Sequence, residues 1–305
     1  MAVPGTLRPL LSRCSFPPPS PAEFPCAVSG GADSLALLAL AAAAGCSPVA
    51  YHVDHGLRSA SSDEAEIVRR AADRLGVQTT ALSVEVGDGP NLEARAREAR
   101  YGVLPDNVAT GHTADDQAET ILINLLRGSA TDGLAGMRPG VRHPLLSIRR
   151  SETRQVCMAA GLSWFEDPSN RDGRHLRNRV RHELLPWLSE AASRDMVPLL
   201  CRQAGLLAAD AALLDELSAS LDVTDARALA GSPAPLARRA VRRWLRAELG
   251  GYPPSAAAVE RVLTVAAGRV VGSEVSRGLS VRRSGGRLRL EHGRPGGKER
   301  TPTVN

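Results

Sequence analysis

The string "VSGGADS" (Val28–Ser34) sets two hydroxyls, Ser29 and Ser34, and one carboxylate, Asp33, around the paired glycines Gly30 and Gly31. An apolar run precedes it and another, "LALLALAAAAG", follows. Glycines let a strand turn sharply into a helix and let a ligand approach the amides closely. The unpaired amides of a helix start, backed by the helix dipole, bind anions, and the serines add donors. Ser29, Gly30, Gly31, Ala32, Asp33 and Ser34 are therefore candidate phosphate-holding residues. A tight turn with Ser34 as a helix cap is the plainer account, and for SGG alone the two stand level. Asp33 tips the balance. A carboxylate inside a phosphate loop is unfavourable unless a divalent metal or a substrate group offsets its charge, which makes Asp33 a candidate for either role.

A second cluster lies in "TGHTADDQAET" (Thr110–Thr120). Thr113 and Asp116 have the spacing of a capping box. Ala118, Ile121, Leu122 and Leu125 form the buried stripe of the helix that follows. Asp116 and Glu119 are i,i+3 neighbours on another face, and two carboxylates so placed suit a cationic amine. On the residues alone the capping role is the stronger of the two for Asp116. His112 stands beside them, where it could meet a phosphate or a base edge. His52 and His55 lack a third metal ligand, so core or backbone-bonding roles are expected. Arg58 is balanced between nucleotide phosphate and solvent. Arg174, Arg177, Arg179 and Arg181 form a basic run opposite Leu176, Val180 and Leu184. Arg238, Arg239, Arg242, Arg243 and Arg246 form a second basic face. A solvated helix surface is the ordinary explanation of such charge.

These loops need a frame. "CAVS", "PVAYHVD", "VQTTALSV" and "NVAT" read as strands. They alternate with helices from about Ser34, across Ser62–Leu75, across Leu92–Tyr101 and across Ala114–Arg127. That alternation predicts an α/β fold with a parallel sheet. Ligands in such sheets sit at the C-terminal strand ends, where both motifs fall. From about Ser193 the pattern changes to three amphipathic helices, with Gly250 and Gly268 as stops, and a hairpin turning at Ser284–Gly286. The expected organisation is a loose Pro-rich segment (1–23), a catalytic domain (24–190), a smaller, mainly helical domain (191–292) and a disordered tail (293–305).

Composition excludes several chemistries. The 305 residues carry a net charge of +5, almost all of the positive charge from Arg. The only lysine is Lys298, so a GxxxxGK[ST] phosphate loop cannot form, and a lysine nucleophile would have to lie in the tail. The five cysteines include no CxxC pair, which argues against zinc, an iron–sulfur cluster or a disulfide framework. The N-terminus makes a poor signal peptide, and the longest apolar run, Leu35–Cys46, is too short to span a bilayer. A cytoplasmic protein with no membrane partner is expected.

The strand–SGGxDS–helix pattern resembles the PP-loop of the N-type ATP pyrophosphatases, which cleave ATP between the α and β phosphates. Other stretches narrow the resemblance: "HVDHGLRSASSDE", "NLEARAREARY", "ATGHTADDQAETILINLLRGSATDGLAGM", "HPLL" and "EDPSNRDGRHLRNRVRHELLPWL". In this order, over roughly residues 26–190, they resemble the bacterial tRNA(Ile)-lysidine synthetases. The resemblance implies a PP-loop fold of the adenine-nucleotide alpha-hydrolase type. It also implies ligation of L-lysine to C2 of the wobble cytidine of a minor isoleucine tRNA with a CAU anticodon. The route would be an adenylylated cytidine, changing the codon read from AUG to AUA. It implies ATP and Mg2+, with Asp33, His112, Asp116 and Glu119 at the chemistry and Asp116 and Glu119 holding lysine. Ser29–Ser34 and Arg58 would hold ATP. Arg174, Arg177, Arg179, Arg181, Arg238, Arg242 and Arg246 would meet phosphate or tRNA. A homodimer is kept open.

There are departures. "GVLPDN" is shorter than the family's helix at that point, and Ala130 replaces a usual Gly. The C-terminal part resembles the family's helical domain only loosely, and a further domain of longer members is expected to be missing. The alternatives are a thiolase-type PP-loop enzyme, disfavoured by the cysteine pattern, an amidotransferase-type synthetase, for which no glutaminase nucleophile is visible, and a tRNA-binding protein without catalysis.

Overall fold

The computed structural model describes residues 8–54, 61–84, 95, 99, 102–167 and 172–292. It divides into two compact units, Met1–Ala208 and Ala209–Asn305. The first is built on three parallel strands in the order β1 (Glu23–Ala27), β2 (Ser47–Asp54) and β3 (Gln78–Ser83). The "NVAT" segment joins on the far side of β1 through a parallel bridge between Cys26 and Ala109. The Ala27 N–H donates to the Ala109 carbonyl and the Ala109 N–H to the Pro25 carbonyl, both at 2.8 Å. It is a bridge rather than a full strand. Its position matters more than its length, because the chain runs outward from β1 to β3 and then returns to β1's other edge. The order reverses there, and the crevice at such a switch point is where open α/β sheets bind ligands.

The Ala32–Ala43 helix fills the centre of this unit. Leu35, Leu37, Leu38 and Leu40 have no exposure, and Ser34–Ala41 are all buried, as expected of a helix that is apolar all round. Val156 and Cys157 of the Arg150–Ala160 helix join the same core, with Cys26, Ala50, Val68 and Ala109 from the sheet and its flank. That second helix stops at Gly161, whose φ of 63° a side chain would resist. Residues 8–22 are not loose. Arg8–Leu11 is a helical turn, Leu10, Leu11, Cys14 and Phe16 pack on the core, and Arg13 pairs with Glu152 at 2.6 Å. The prolines read there as looseness instead fix an extended path over apolar surface. The expected Leu92–Tyr101 helix, His55, Arg58 and the tail at 293–305 lie outside the described residues.

The second unit has its own core, drawn from Leu229, Val241, Leu245, Val262, Val281 and Leu288 among others. Two of the three expected helices fall within it, Ala234–Glu248 and Ala256–Ala266, with a short one, Ala226–Gly231, ahead of them. The third, Met196–Ala219, contains the division between the units. The expected hairpin is β5 (Leu279–Ser284) and β6 (Arg287–His292), turning on Gly285 and Gly286, both with positive φ. A strand missed in the sequence, β4 (Gly272–Ser276), pairs with β5 and completes an antiparallel sheet. "GSEVS" is too short and too polar to declare itself alone. Among the described residues one helix, Met196–Ala219, is long and apolar enough to cross a bilayer; its Val197, Leu200, Ala204 and Ala211 are buried, while Leu206, Leu213 and Leu217 are exposed.

Candidate active site

Gly30 takes φ +81° at the end of β1, and the chain then enters the Ala32–Ala43 helix with Gly31 at the N-cap. No side chain caps this helix, which leaves its first amides facing outward. The two serines brace the bend from inside. The Ser34 hydroxyl donates to the Gly31 carbonyl at 2.8 Å and accepts the Ser29 N–H at 3.2 Å. The Phe165 N–H holds the Gly30 carbonyl at 2.9 Å. The "TGHT" loop crosses so close that a Cβ on Gly111 would lie 2.6 Å from the Asp33 carbonyl oxygen. Only glycine permits that approach. A cleft of about 810 Å³ opens over the bend, with Asp33, Ser34, Arg150, Trp164 and Arg181 in its walls. A second cavity of about 920 Å³ lies at the N-terminal strand ends, with Glu23, Ser47 and Arg74 in its lining. No phosphate-binding turn borders it, so the chemistry belongs to the first.

Asp33 accepts the Thr153 hydroxyl and faces Arg150 Nε at 3.4 Å. Burial pushes its carboxyl above the usual range, and Asp116 adds to the rise, while Thr153 and Arg150 pull it down. Its side chain stays 28% exposed, and no group of three metal-ligating side chains gathers among the described residues. A divalent cation here would therefore share its coordination with phosphate oxygens, the way magnesium is commonly held.

Thr113 and Asp116 form the capping box that their spacing predicts. Asp116 Oδ2 accepts both the Thr113 N–H (2.9 Å) and its hydroxyl (2.8 Å). The box occupies one oxygen. The other, Oδ1, accepts Arg150 Nη2 at 2.8 Å and Arg177 Nη2 at 3.0 Å. Glu119 has no exposure at all and accepts from three arginines: Arg150 Nη1 at 3.1 Å, Arg177 Nε at 2.8 Å, and Arg181 through Nε at 2.7 Å and Nη2 at 3.1 Å. Asp115 takes a two-pronged contact from Arg149 and the Arg150 N–H.

Burial alone would raise Asp116, but Arg150, Arg177 and the Thr113 donors hold its carboxyl down at about 2. Its folded value lies below an unfolded value near 4, so ionised Asp116 adds stability that is complete above about pH 4. That stability is lost as pH falls through about 2, and amounts to roughly 2 kcal/mol. Acid unfolding followed by circular dichroism should show this loss in the wild type, and a flatter profile in Asp116→Asn.

Other expected residues are placed as follows. His112 Nδ1 lies 2.6 Å from the Thr110 hydroxyl, which also meets His143 Nδ1 at 2.9 Å. His52 has the backbone role expected of it, with Nδ1 2.9 Å from the Val28 carbonyl. Arg174 pairs with Asp172 at the surface, and Arg179 faces Glu183 at 3.9 Å. Arg177 and Arg181, expected to meet phosphate, are turned onto the two acids. In the second unit Arg238 contacts Glu260 at 2.6 Å, and Arg246 donates to the Gly251 carbonyl. Arg239 and Arg243 turn to Asp215 and Ser218. Sequence reasoning missed Arg150, which ties Asp33 to the acids, and Thr153, whose hydroxyl donates to Asp33. Cys26 and Cys157 are fully buried, and burial pushes the Cys157 thiol up to about 12, far from a reactive thiolate.

Comparison with known proteins matches residues 13–188 to the PP-loop domain family and residues 225–289 to the TilS substrate binding domain family. The tRNA(Ile)-lysidine synthase of Nocardia farcinica is 43% identical over 235 residues, covering 72% of this chain and 74% of that protein. Those of Mycobacterium leprae and Rhodococcus erythropolis are 43% and 44% identical over 238 residues, each covering 72% of this chain. Among solved structures, a tRNA thiolase from Methanococcus maripaludis overlays with a TM-score of 0.49 at 17% identity, covering 66% of this chain and 75% of that one. That likeness is too slight to bear on function.

Proposed function

Because the chain belongs to the tRNA(Ile)-lysidine synthase family, we propose that its cleft activates the wobble cytidine of tRNA(Ile) over the glycine bend and delivers L-lysine from the side of Asp116 and Glu119. It is a carbon–nitrogen ligase and ATP is its co-substrate. One observation carries the two-sided reading. The Arg150 guanidinium touches Asp33 on the bend and both Asp116 and Glu119 on the neighbouring helix. The phosphate seat and the acid pair are thus separated by the width of one side chain.

In this reading cytidine O2 attacks the α-phosphorus. Pyrophosphate leaves toward the helix-start amides, with the Ser29 and Ser34 hydroxyls turning from their contacts within the bend to meet it. Magnesium, held by Asp33 and the phosphates, would supply charge neutralisation there. The lysine ε-ammonium, oriented by Asp116 and Glu119, gives up one proton to solvent and attacks C2 as the amine; AMP departs with the former O2, and the nitrogen's second proton follows to solvent. Placement and fixed charge supply most of the acceleration. To His112 we assign contact with a phosphate or the base edge. The CAU anticodon, a cytoplasmic setting and a homodimer belong to the same proposal. Mass analysis of tRNA(Ile) incubated with enzyme, ATP and lysine tests it. A lysyl adduct on the wobble cytidine is expected, and unchanged tRNA would overturn it.

RNA contact by the second unit is proposed from its half-exposed Arg238 and exposed Arg246, with Arg242 on the same helix. Replacing all three with Gln should weaken tRNA binding and flatten its dependence on salt, by up to about 0.9 in log–log slope for each phosphate no longer neutralised. An unchanged slope in a filter-binding titration would leave that face merely solvated.

A further inference from the structure

The two acids assigned above to lysine have no acceptor to spare. A carboxylate offers about four lone-pair positions. Glu119 receives four N–H donors from three arginines, and Asp116 receives two from Thr113 and two from arginines. Charge is closed as well. Asp33, Asp116 and Glu119 face Arg150, Arg177 and Arg181, three against three, a neutral set. An ammonium entering between Asp116 and Glu119 would find no free acceptor on either and would add an unmatched positive charge at a carboxylate, Glu119, that water does not reach.

One arginine is built to leave. Arg181 spends Nε and Nη2 on Glu119, one on each oxygen, so its departure frees one acceptor position per oxygen. It also lines the cleft shared by Ser29, Asp33 and Ser34, where phosphate oxygens would offer it new partners. Its backbone belongs to a single π-helical turn, Val180–Leu184, inserted between the Leu176–Arg179 and Leu185–Ala191 helices. Such turns are rare and recur at functional positions. Arg150 is less suited, because it bridges three carboxylates.

We propose that Arg181 is a placeholder for the substrate ammonium: it fills the lysine seat on Glu119 until nucleotide phosphate draws it into the cleft. The inference rests on the reading of Asp116 and Glu119 as the amine pocket. Lysine and nucleotide then enter as a charge-balanced pair, each tightening the other by the same factor. The amine is seated only when there is a phosphate to activate the cytidine.

Equilibrium dialysis of radiolabelled lysine against the full chain, with and without α,β-methylene ATP, tests this. Wild type is expected to bind lysine at least about tenfold more tightly with the analogue, within the usual range of such coupling. Arg181→Gln should bind lysine tightly without the analogue and gain less than about twofold from it. Arg179→Gln, which faces Glu183 rather than the acids and leaves Arg181 seated, should keep the wild-type coupling. Lysine binding that is equally tight with and without the analogue in wild type, or coupling that survives in Arg181→Gln, would overturn the exchange and leave the pocket standing. Glu119→Gln separates the two ideas: it should weaken lysine binding at least about tenfold in every arm. Binding that ignores this change would remove the pocket itself. Should Arg181→Gln fail to fold, the wild-type pair still decides, since lysine binding that ignores the analogue there overturns the exchange.

Discussion

Replacing Asp33 with Ala is expected to lower tRNA-dependent pyrophosphate release by at least about 10²–10³-fold, the cost of removing one preorganised electrostatic group. Asp33 stands at the helix start beside the bend, accepts the Thr153 hydroxyl and faces Arg150. Without it Thr153 loses an acceptor, and Arg150 keeps only the two acids on the far side. Phosphates would then meet an arginine held away from them and would lose the carboxylate that shares their cation. Binding of tRNA should change little, because the proposed RNA contacts lie on other residues. Turnover within a few-fold of wild type, measured by pyrophosphate release with saturating tRNA, would take the bend out of the nucleotide site.

Glu119→Gln should do two things at once. The buried amide offers one acceptor oxygen, and its NH2 opposes arginine donors, so the three guanidiniums lose most of their partners. Breaking a buried pair costs about 3–5 kcal/mol, and the partial exposure of these arginines brings the expected loss toward about 2–3 kcal/mol in a urea titration. Lysine use should fall by roughly ten- to a hundredfold or more, the worth of a charge-assisted contact of about 1.5–3 kcal/mol. Adenylylation of the cytidine, in which the amine takes no part, should persist in the protein that remains folded. Equal damage to both half-reactions would mean that Glu119 only anchors arginines. Asp116→Asn should show a milder form of the same split, since the capping oxygen survives the change.

The local parts of this site were legible because local rules make them. A glycine pair before an apolar helix turns the chain, Thr113 three residues before Asp116 closes a box, and alternating strands and helices give a parallel sheet. Legibility ended where partners came from afar. Arg150 lies 117 positions from Asp33, and in "SIRRSETRQ" it reads as one of several polar residues opening a helix. The acids' saturation was equally hidden. Spacing shows that Asp116 and Glu119 share a region of one helix, and nothing in it says which arginines reach them. Gly111 resembled any turn glycine until the Asp33 carbonyl was found beside it. The basic run at residues 174–181 was noticed, yet its division into Arg177 and Arg181, turned inward, and Arg174 and Arg179, turned outward, depends on an irregular helix that periodicity does not foresee.

The order of charges along the chain sets a condition on how the protein is made. Every acid of the cluster (Asp33, Asp116, Glu119) precedes every arginine that neutralises it (Arg150, Arg177, Arg181). A nascent chain emerging N-terminus first can pair β1 with β2 and bury its apolar helix early, since those contacts are close in sequence. The Ala114–Leu126 helix cannot settle with Glu119 inside until the residues around Arg177 and Arg181 have left the ribosome, because a buried carboxylate without its cations is prohibitively costly. The last turn of the catalytic region therefore acts as a checkpoint on folding as well as on chemistry. A chain truncated before Arg181 should remain open at the acid helix, exposed to proteases, while a chain carrying Arg181 closes it.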